Sequence, residues 1–177
     1  MSRRLPVHVD PLTLADRGRT IAGALPVSAC HRLAHWLEST EGELAADLQF
    51  GRDENGRRIL TGRVTGRLRL TCQRCLQGYD LEVDLPIGVV LVSSEAEADT
   101  LPEEIDALVV DDRGEMHTVD MLEDDLILAL PLVPKCPDET DCKPAVELFD
   151  SERIERQDGG GQRPFADLDD PPDDDNH

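Results

Sequence analysis

The segment 60–91 carries the clearest alternation of apolar and polar residues in the chain. Its first half is apolar at even positions (Leu60, Val64, Leu68, Leu70) and its second half at odd positions (Tyr79, Leu81, Val83, Leu85, Ile87, Val89, Leu91). Because the side chains of a strand alternate between two faces, each half predicts a β-strand with one face on a core. The strands meet at Cys72-Gln73-Arg74-Cys75, which predicts an antiparallel hairpin with two thiols at its tip.

The polar faces of these two strands carry opposite charges. Arg67 and Arg69 lie on the first strand, and Asp80, Glu82 and Asp84 lie on the second. If the apolar residues stay on one side, Arg69 is placed opposite Glu82 and Arg67 opposite Asp84. Each such pair is expected to stabilise the hairpin by about 0.2–1 kcal/mol.

Alternation and turn signals predict further strands on both sides of the hairpin. The segments are Thr20–Val27, Glu43–Phe50 and Ala107–Val110, with Glu115–Thr118 pairing back. A turn is predicted at residues 53–56, between the second of these segments and the hairpin. Three consecutive strands with short connections imply an antiparallel meander.

Two helices are predicted by apolar residues at spacings of three and four. The first is Ala29–Ser39, with Ser28 as its N-cap and with Leu33 and Trp36 on its apolar side. The second is Val119–Leu130, whose acidic first turns suit the helix dipole. The predicted fold class is therefore α+β, with an antiparallel β-meander or partly closed sheet, two main helices and a disordered acidic C-terminal tail.

Length and composition predict one folded domain followed by a tail. The chain has 177 residues, of which 39% are hydrophobic, enough for a single α+β domain at residues 1–148. Residues 149–177 are rich in glycine, aspartate and proline, which predicts a flexible acidic tail. Within it, Phe165 and Leu168 belong to the short island Arg-Pro-Phe-Ala-Asp-Leu, which predicts a partner-docking motif.

The formal net charge of −20 narrows the classes of partner. Such a surface repels phosphate at long range and suits a basic protein partner. No apolar run approaches the roughly 20 residues of a membrane span, and no secretory signal follows the N-terminal arginines, so a cytoplasmic location is expected. The sequence carries no phosphate-binding glycine loop, nucleophile elbow or histidine–glutamate zinc pattern, so neither catalysis nor a small-molecule substrate is expected.

Four of the five cysteines fall into two pairs. Cys72 and Cys75 lie at the hairpin tip, and Cys136 and Cys142 lie in a proline-rich segment after the second helix. Two pairs of thiolates can complete a tetrahedral zinc site, so one structural zinc is a candidate cofactor. The spacing leaves a second alternative open, in which the thiols stay reduced and hold no ligand. A thioredoxin-like redox role is disfavoured because the first pair does not start a helix.

Arginines are concentrated in one stretch, residues 52–74. Arg67 and Arg69 have predicted cross-strand partners, and the same pattern gives the others none. The candidates for contact with RNA phosphates are Arg57, Arg58, Arg63 and Arg74. The alternative is a solvated face on which the charges pair internally.

Three segments together resemble the bacterial YceD family, the large ribosomal RNA subunit accumulation proteins. They are Leu70–Leu76 with its thiol pair, Glu123–Pro134 and Arg163–Leu168. The resemblance implies a non-enzymatic ribosome-biogenesis factor that supports synthesis, processing or stability of 23S rRNA and assembly of the large subunit. Its partner would be 23S rRNA or a basic large-subunit ribosomal protein. The alternative is a zinc- or thiol-containing regulatory module that binds proteins unconnected with ribosomes.

The chain departs from the family pattern at two places. Members often have a histidine and a cysteine after the second proline of the helix-end motif, where this chain has Cys136 and Cys142. Cysteine for histidine keeps a metal-binding type of side chain. Members also tend to continue with lysines after the Phe-Ala island, whereas aspartates follow here, which argues against a tail that grips RNA.

Overall fold

The computed structural model describes residues 4–110, 114–138 and 142. Its elements are β1 (His8–Val9), α1 (Pro11–Asp16), β2 (Thr20–Pro26), β3 (Glu43–Arg52), β4 (Arg58–Thr71), β5 (Gly78–Val92), α2 (Glu95–Ala98), β6 (Ala107–Val109), β7 (Met116–His117) and α3 (Glu123–Leu128). Two 3₁₀ turns, Val27–Ala29 and Leu33–Trp36, lie between β2 and β3. Within the described ranges, no helix has the length and apolar character needed to cross a membrane.

Contacts divide the chain into two units, residues 1–143 and 144–177. The second unit lies outside the described residues, and so do the predicted tail 149–177 and its docking residues Phe165 and Leu168. The predicted boundary after residue 148 and the docking motif therefore stay predictions.

A five-stranded sheet with the order β2-β3-β4-β5-β6 forms the body of the first unit. Strands β2 to β5 are antiparallel to their neighbours, and β6 pairs with β5 in parallel. The α+β class is confirmed, but the sheet is mixed, and the antiparallel meander describes only β2 to β5. The expectation that residues 115–118 pair back onto the preceding strand is wrong, because β7 pairs with β1. A strand of two or three residues has too little alternation to specify its neighbour.

The β4–β5 hairpin lies where the alternation predicts it, and one of its faces covers the core. On β4 the buried side chains are Leu60, Val64, Leu68 and Leu70, and on β5 they include Val83, Ile87 and Leu91. They pack with Leu44, Leu48 and Phe50 of β3 and with Leu122 and Leu126 around α3. Full burial of one such side chain contributes about 1.5–3 kcal/mol, so this face organises the unit.

The register of the hairpin differs from the predicted one by two residues. Arg69 lies opposite Asp80, and Arg67 lies opposite Glu82. A shift of two residues leaves every apolar side chain on the same face, so alternation alone does not distinguish the two registers. The loop decides between them, because β4 ends at Thr71 and β5 resumes at Gly78.

Two inward-facing positions of β4 are glycines because β3 lies too close for a side chain. A Cβ atom on Gly62 would lie 2.2 Å from the carbonyl oxygen of Asp47. A Cβ atom on Gly66, where φ is +155°, would lie 2.6 Å from a methyl carbon of Leu44. Glycine at these positions lets the leucines of β3 fill the space beneath β4.

The predicted helix Ala29–Ser39 is wrong, because the segment forms the end of the first 3₁₀ turn, the whole of the second and irregular chain instead. Leu33 is buried as expected, but Trp36 is 63% exposed. The amide groups of Arg32 and Leu33 donate to the carboxylate of Glu123, with N–O distances of 2.7 and 3.0 Å. A side chain distant in sequence thus accepts hydrogen bonds from amide groups that a helix would have paired with its own carbonyls. The local spacing of apolar residues does not predict this contact.

The second predicted helix exists but is shorter than expected. Turns occupy residues 119–122, and the α-helix itself is Glu123–Leu128. Its acidic first turn and buried Leu126 agree with the prediction. Leu128, at the end of the helix, is 81% exposed.

Candidate metal centre and adjoining groove

The hairpin loop between β4 and β5, residues 72–77, holds the first thiol pair. The amide of Cys72 donates to the carbonyl of Gln77, and the amide of Leu76 donates to the carbonyl of Cys72, both at 2.8 Å. These bonds close the loop at both ends, and both cysteine side chains are buried. Leu76 follows the second cysteine with φ +60°, the only non-glycine residue with positive φ in the described ranges.

The second thiol pair lies in the segment after α3, which backbone bonds join to the hairpin loop. The amide of Gln73 donates to the carbonyl of Pro134 at 2.8 Å. The amide of Cys136 donates to the sulfur of Cys72 at 3.3 Å. Cys142 is buried against the same cluster. The fold thus brings together two pairs that the sequence keeps far apart.

The four sulfur atoms all lie within 4.8 Å of one another. Two separations are 3.6 Å, between Cys72 and Cys142 and between Cys75 and Cys136. A tetrahedral zinc ion with Zn–S bonds of about 2.3 Å requires sulfurs about 3.8 Å apart. All four cysteines are free thiols, so their arrangement fits a Cys₄ metal centre and no disulfide is formed.

Backbone hydrogen bonds favour charge on one of the four sulfurs. Burial opposes ionisation of Cys72, but amide groups of Cys75, Cys136 and Arg74 donate to its sulfur and lower the pKa of Cys72 to about 6. Burial, followed by interactions with the neighbouring thiols, raises the pKa of Cys136 to about 12. A metal ion takes cysteine ligands as thiolates, so its binding would release the proton that burial and the neighbouring thiols retain on Cys136.

An apolar groove of about 490 Å³ lies beside the cysteine cluster. One wall is the hairpin loop with Leu70, and the other is the end of α3 with the proline segment after it. The lining side chains are His35, Trp36, Leu70, Thr71, Gln73, Leu76, Ile127, Leu128, Leu130, Pro131, Leu132 and Pro134. The sequence patterns identified both walls but gave no reason to expect a shared groove.

Glu123 is the buried carboxylate that joins α3 to the turn bearing Trp36. Its side chain is 3% exposed and accepts from the amides of Arg32 and Leu33 and from Nε of Arg32 at 2.9 Å. Burial opposes its charge, but these hydrogen bonds dominate and lower the pKa of Glu123. The sequence pattern placed this residue among the acidic first turns that suit the helix dipole, and it gave no sign of the contact with Arg32 and Leu33.

Arginines predicted to contact RNA are paired within the protein. Arg57 pairs with Asp53 at 2.6 Å, Arg58 pairs with Asp16 at 2.8 Å, and Arg63 pairs with Asp84. The backbone amide of Arg74 donates to the sulfur of Cys72. The expectation that these arginines lack partners is wrong, because Asp16 belongs to distant α1 and Asp84 reaches Arg63 diagonally across the strands. The RNA contact itself stays a prediction.

The fold and the cysteine cluster define a small α+β protein with a candidate four-sulfur metal centre. A family model described as "Large ribosomal RNA subunit accumulation protein YceD" matches residues 60–170, which is more than half of the chain. A protein of that name from Haemophilus influenzae is 31% identical over 131 residues, covering 74% of this chain and 75% of the relative. No solved structure matches the chain. The chain belongs to the YceD family.

Proposed function

We propose that this protein is a non-enzymatic ribosome-biogenesis factor that supports synthesis, processing or stability of 23S rRNA and assembly of the large subunit. The observation that carries the proposal is its similarity to the Haemophilus influenzae protein, whose name states a role in large ribosomal RNA subunit accumulation. A factor with this target acts in the cytoplasm, where ribosomes assemble.

We further propose that the four cysteines hold one structural zinc ion. Four protein ligands complete a tetrahedral shell and leave no open position for a substrate, which is typical of structural sites and not of catalytic ones. The sulfur separations and the amide donors on Cys72 support this assignment. Elemental analysis of protein purified without chelator is expected to find about one zinc per chain, and metal-free folded protein would contradict the assignment.

The partner in this proposal is 23S rRNA or a basic large-subunit ribosomal protein. A net charge of −20 favours the basic protein, because long-range repulsion opposes RNA. The RNA alternative uses Arg57, Arg58, Arg63 and Arg74, and it predicts that Arg57→Glu with Arg58→Glu weakens crosslinking to 23S rRNA. Unchanged crosslinking would reject those two contacts.

Deletion of the gene in its source organism tests the proposed function. Sucrose-gradient profiles of the deletion strain are expected to show fewer large subunits and a lower ratio of 23S to 16S rRNA, and the wild-type gene on a plasmid is expected to restore both. Normal profiles would contradict a ribosomal role and favour the regulatory module unconnected with ribosomes.

A further inference from the structure

We propose that the apolar groove beside the cysteine cluster is the docking site for an apolar face of a cationic protein segment. The inference names the partner surface of the proposed function and rests on that function for the choice of partner. It follows from exposure, backbone geometry and the position of the thiols in the described residues, and from the net charge of the whole chain.

Exposed apolar side chains concentrate in this groove. The large hydrophobic residues of the described ranges that are exposed are Val7, Trp36, Leu76, Leu128, Leu132 and Val133. Four of the six line the groove, and their exposures are 63% for Trp36, 62% for Leu76, 81% for Leu128 and 99% for Leu132. Single exposed apolar residues are ordinary, but a contiguous group of them marks an interaction surface.

Leu76 provides an independent indication, because the fold itself gains little from its side chain. Its φ is +60°, a conformation that disfavours a Cβ atom and suits glycine. The leucine side chain is nevertheless 62% exposed, so burial within the chain does not compensate for the backbone strain. A non-glycine residue held in this conformation is a reason to look for function at that position. We assign the function to contact with a partner.

The two walls of the groove are the two segments that the cysteines hold together. Cys72 and Cys75 anchor the loop that carries Leu76, and Cys136 lies four residues beyond Leu132 in the other wall. The bond from the amide of Gln73 to the carbonyl of Pro134 crosses between the walls. A metal ion bound by the four sulfurs would therefore fix the width of the groove.

The net charge of the chain indicates which class of molecule binds in the groove. Two cations, Arg74 and Lys135, directly follow the lining residues Gln73 and Pro134 in the chain. The net charge of the whole chain is nevertheless −20. Such a field repels RNA and also repels a second copy of this chain. It attracts a protein segment that presents lysine and arginine around an apolar face.

A photocrosslinking amino acid at position 132 tests the occupant, with position 7 as the matched control. Leu132 lies in the groove, whereas Val7 is also exposed, at 64%, but does not line it. The probes are total protein extracted from purified large subunits, 23S rRNA transcribed in vitro, and the unlabelled chain itself. Crosslinks from position 132 to basic large-subunit proteins, absent from position 7, support the proposal. Crosslinks to RNA or to a second copy, or equal labelling from both positions, would overturn it.

Two variants separate docking from folding. Leu128→Ser with Leu132→Ser alters highly exposed side chains and is expected to weaken binding of the crosslinked protein about tenfold or more, as loss of buried anchors does at interfaces. Leu76→Gly is expected to weaken binding while the protein stays folded, and Val7→Ser is expected to leave binding unchanged. If the wild-type chain restores large subunits in the deletion strain but the groove variants bind normally, the docking site is rejected and the proposed ribosome-biogenesis function is retained.

Discussion

The outer face of the sheet and the groove beside the cysteines are both exposed to solvent. The charged side chains of the outer face pair with one another, whereas the exposed apolar side chains of the groove have no covering residues in the described part of the chain. On the sheet, arginines of β4 pair with carboxylates of β5, as Arg63–Asp84, Arg67–Glu82 and Arg69–Asp80. In the groove, Leu76, Leu128 and Leu132 expose most of their surface to solvent. The arginine face is thus internally neutralised, whereas the groove presents apolar surface that a partner can cover.

This difference indicates where recognition is expected. A partner that approaches the arginine face must compete with carboxylates already in place, and exposed ion pairs contribute little to stability. A partner that covers the groove gains from burial of leucine and tryptophan without breaking an internal contact. Substitutions at the two regions should therefore separate stability from partner binding.

The largest expected effect comes from the cysteine cluster that holds the groove walls. Cys72→Ser removes one of the four proposed zinc ligands, and with it the sulfur that accepts the backbone amides of Arg74, Cys75 and Cys136. Loss of metal and a fall in Tm of about 10 °C or more are expected, measured by elemental analysis and calorimetry. The control is Cys30→Ala, which alters a buried thiol outside the cluster and should keep the metal. Full metal content in the Cys72 variant would contradict the assignment.

A smaller effect is expected at Glu123, which ties the turn bearing Trp36 to α3. Glu123→Gln weakens bonds to the amides of Arg32 and Leu33 and should cost about 1–3 kcal/mol. The exposed neighbour substitution Asp124→Asn is the control and should cost less. Urea denaturation of the three proteins gives the ranking, and equal stabilities would show that the buried carboxylate is unimportant.

The same residue predicts a pH dependence. The pKa of Glu123 is lowered in the folded state, so the ionised carboxylate stabilises the fold. This contribution to stability is fully present above the pKa of about 4.3 in the unfolded chain, and it is lost as pH falls through the pKa of the folded state. Below about pH 4.3 the stability difference between wild type and Glu123→Gln should narrow. A constant difference from pH 7 to pH 3 would contradict the assigned ionisation.

Leu76→Gly should change stability only slightly, and in the opposite direction. Removal of the side chain relieves the strain at φ +60° and is expected to stabilise the fold by up to about 1 kcal/mol, partly offset by glycine's freedom in the unfolded chain. Binding of the groove's partner should weaken in the same protein. A variant that loses stability by more than the control Leu132→Ser would show that Leu76 serves the fold.

The smallest effect is expected on the arginine face. Arg67 and Glu82 are 70% and 78% exposed, and Arg67→Gln should change stability by no more than about 0.5 kcal/mol. Thermal denaturation at low and high salt provides the measurement. A large, salt-sensitive loss of stability would show that the ion pairs of this face form a cooperative network. It would contradict the expectation that they contribute little to stability.

The sequence allowed the hairpin, the core side chains of β4 and the acidic start of α3 to be predicted, because each follows from local periodicity. It did not allow the hairpin register to be chosen, since a slide by two residues preserves every face. It misassigned residues 29–39, because the carboxylate that caps Arg32 and Leu33 comes from Glu123. Contacts of this kind form only in the tertiary fold, so a local stretch of sequence does not predict them.

The candidate site was predicted in composition but not in arrangement. Cys72, Cys75, Cys136 and Cys142 were nominated by residue type, and the structure brings them together. The spacing could not show this, because the meeting depends on where the segment after α3 crosses the hairpin loop. The groove was missed because its leucines lie in two separate segments, although Leu76 after a thiol pair occupies a position where glycine would fit the backbone better.

The ratio of 23S to 16S rRNA in the deletion strain shows whether the groove is needed for large-subunit accumulation. The strain would carry the wild-type gene, the groove variant Leu128→Ser with Leu132→Ser, or the face variant Arg63→Gln with Arg67→Gln, each confirmed to be folded and equally abundant. We expect the wild-type gene and the face variant to restore the ratio and the groove variant not to restore it. Restoration of the ratio by the groove variant would contradict this expectation.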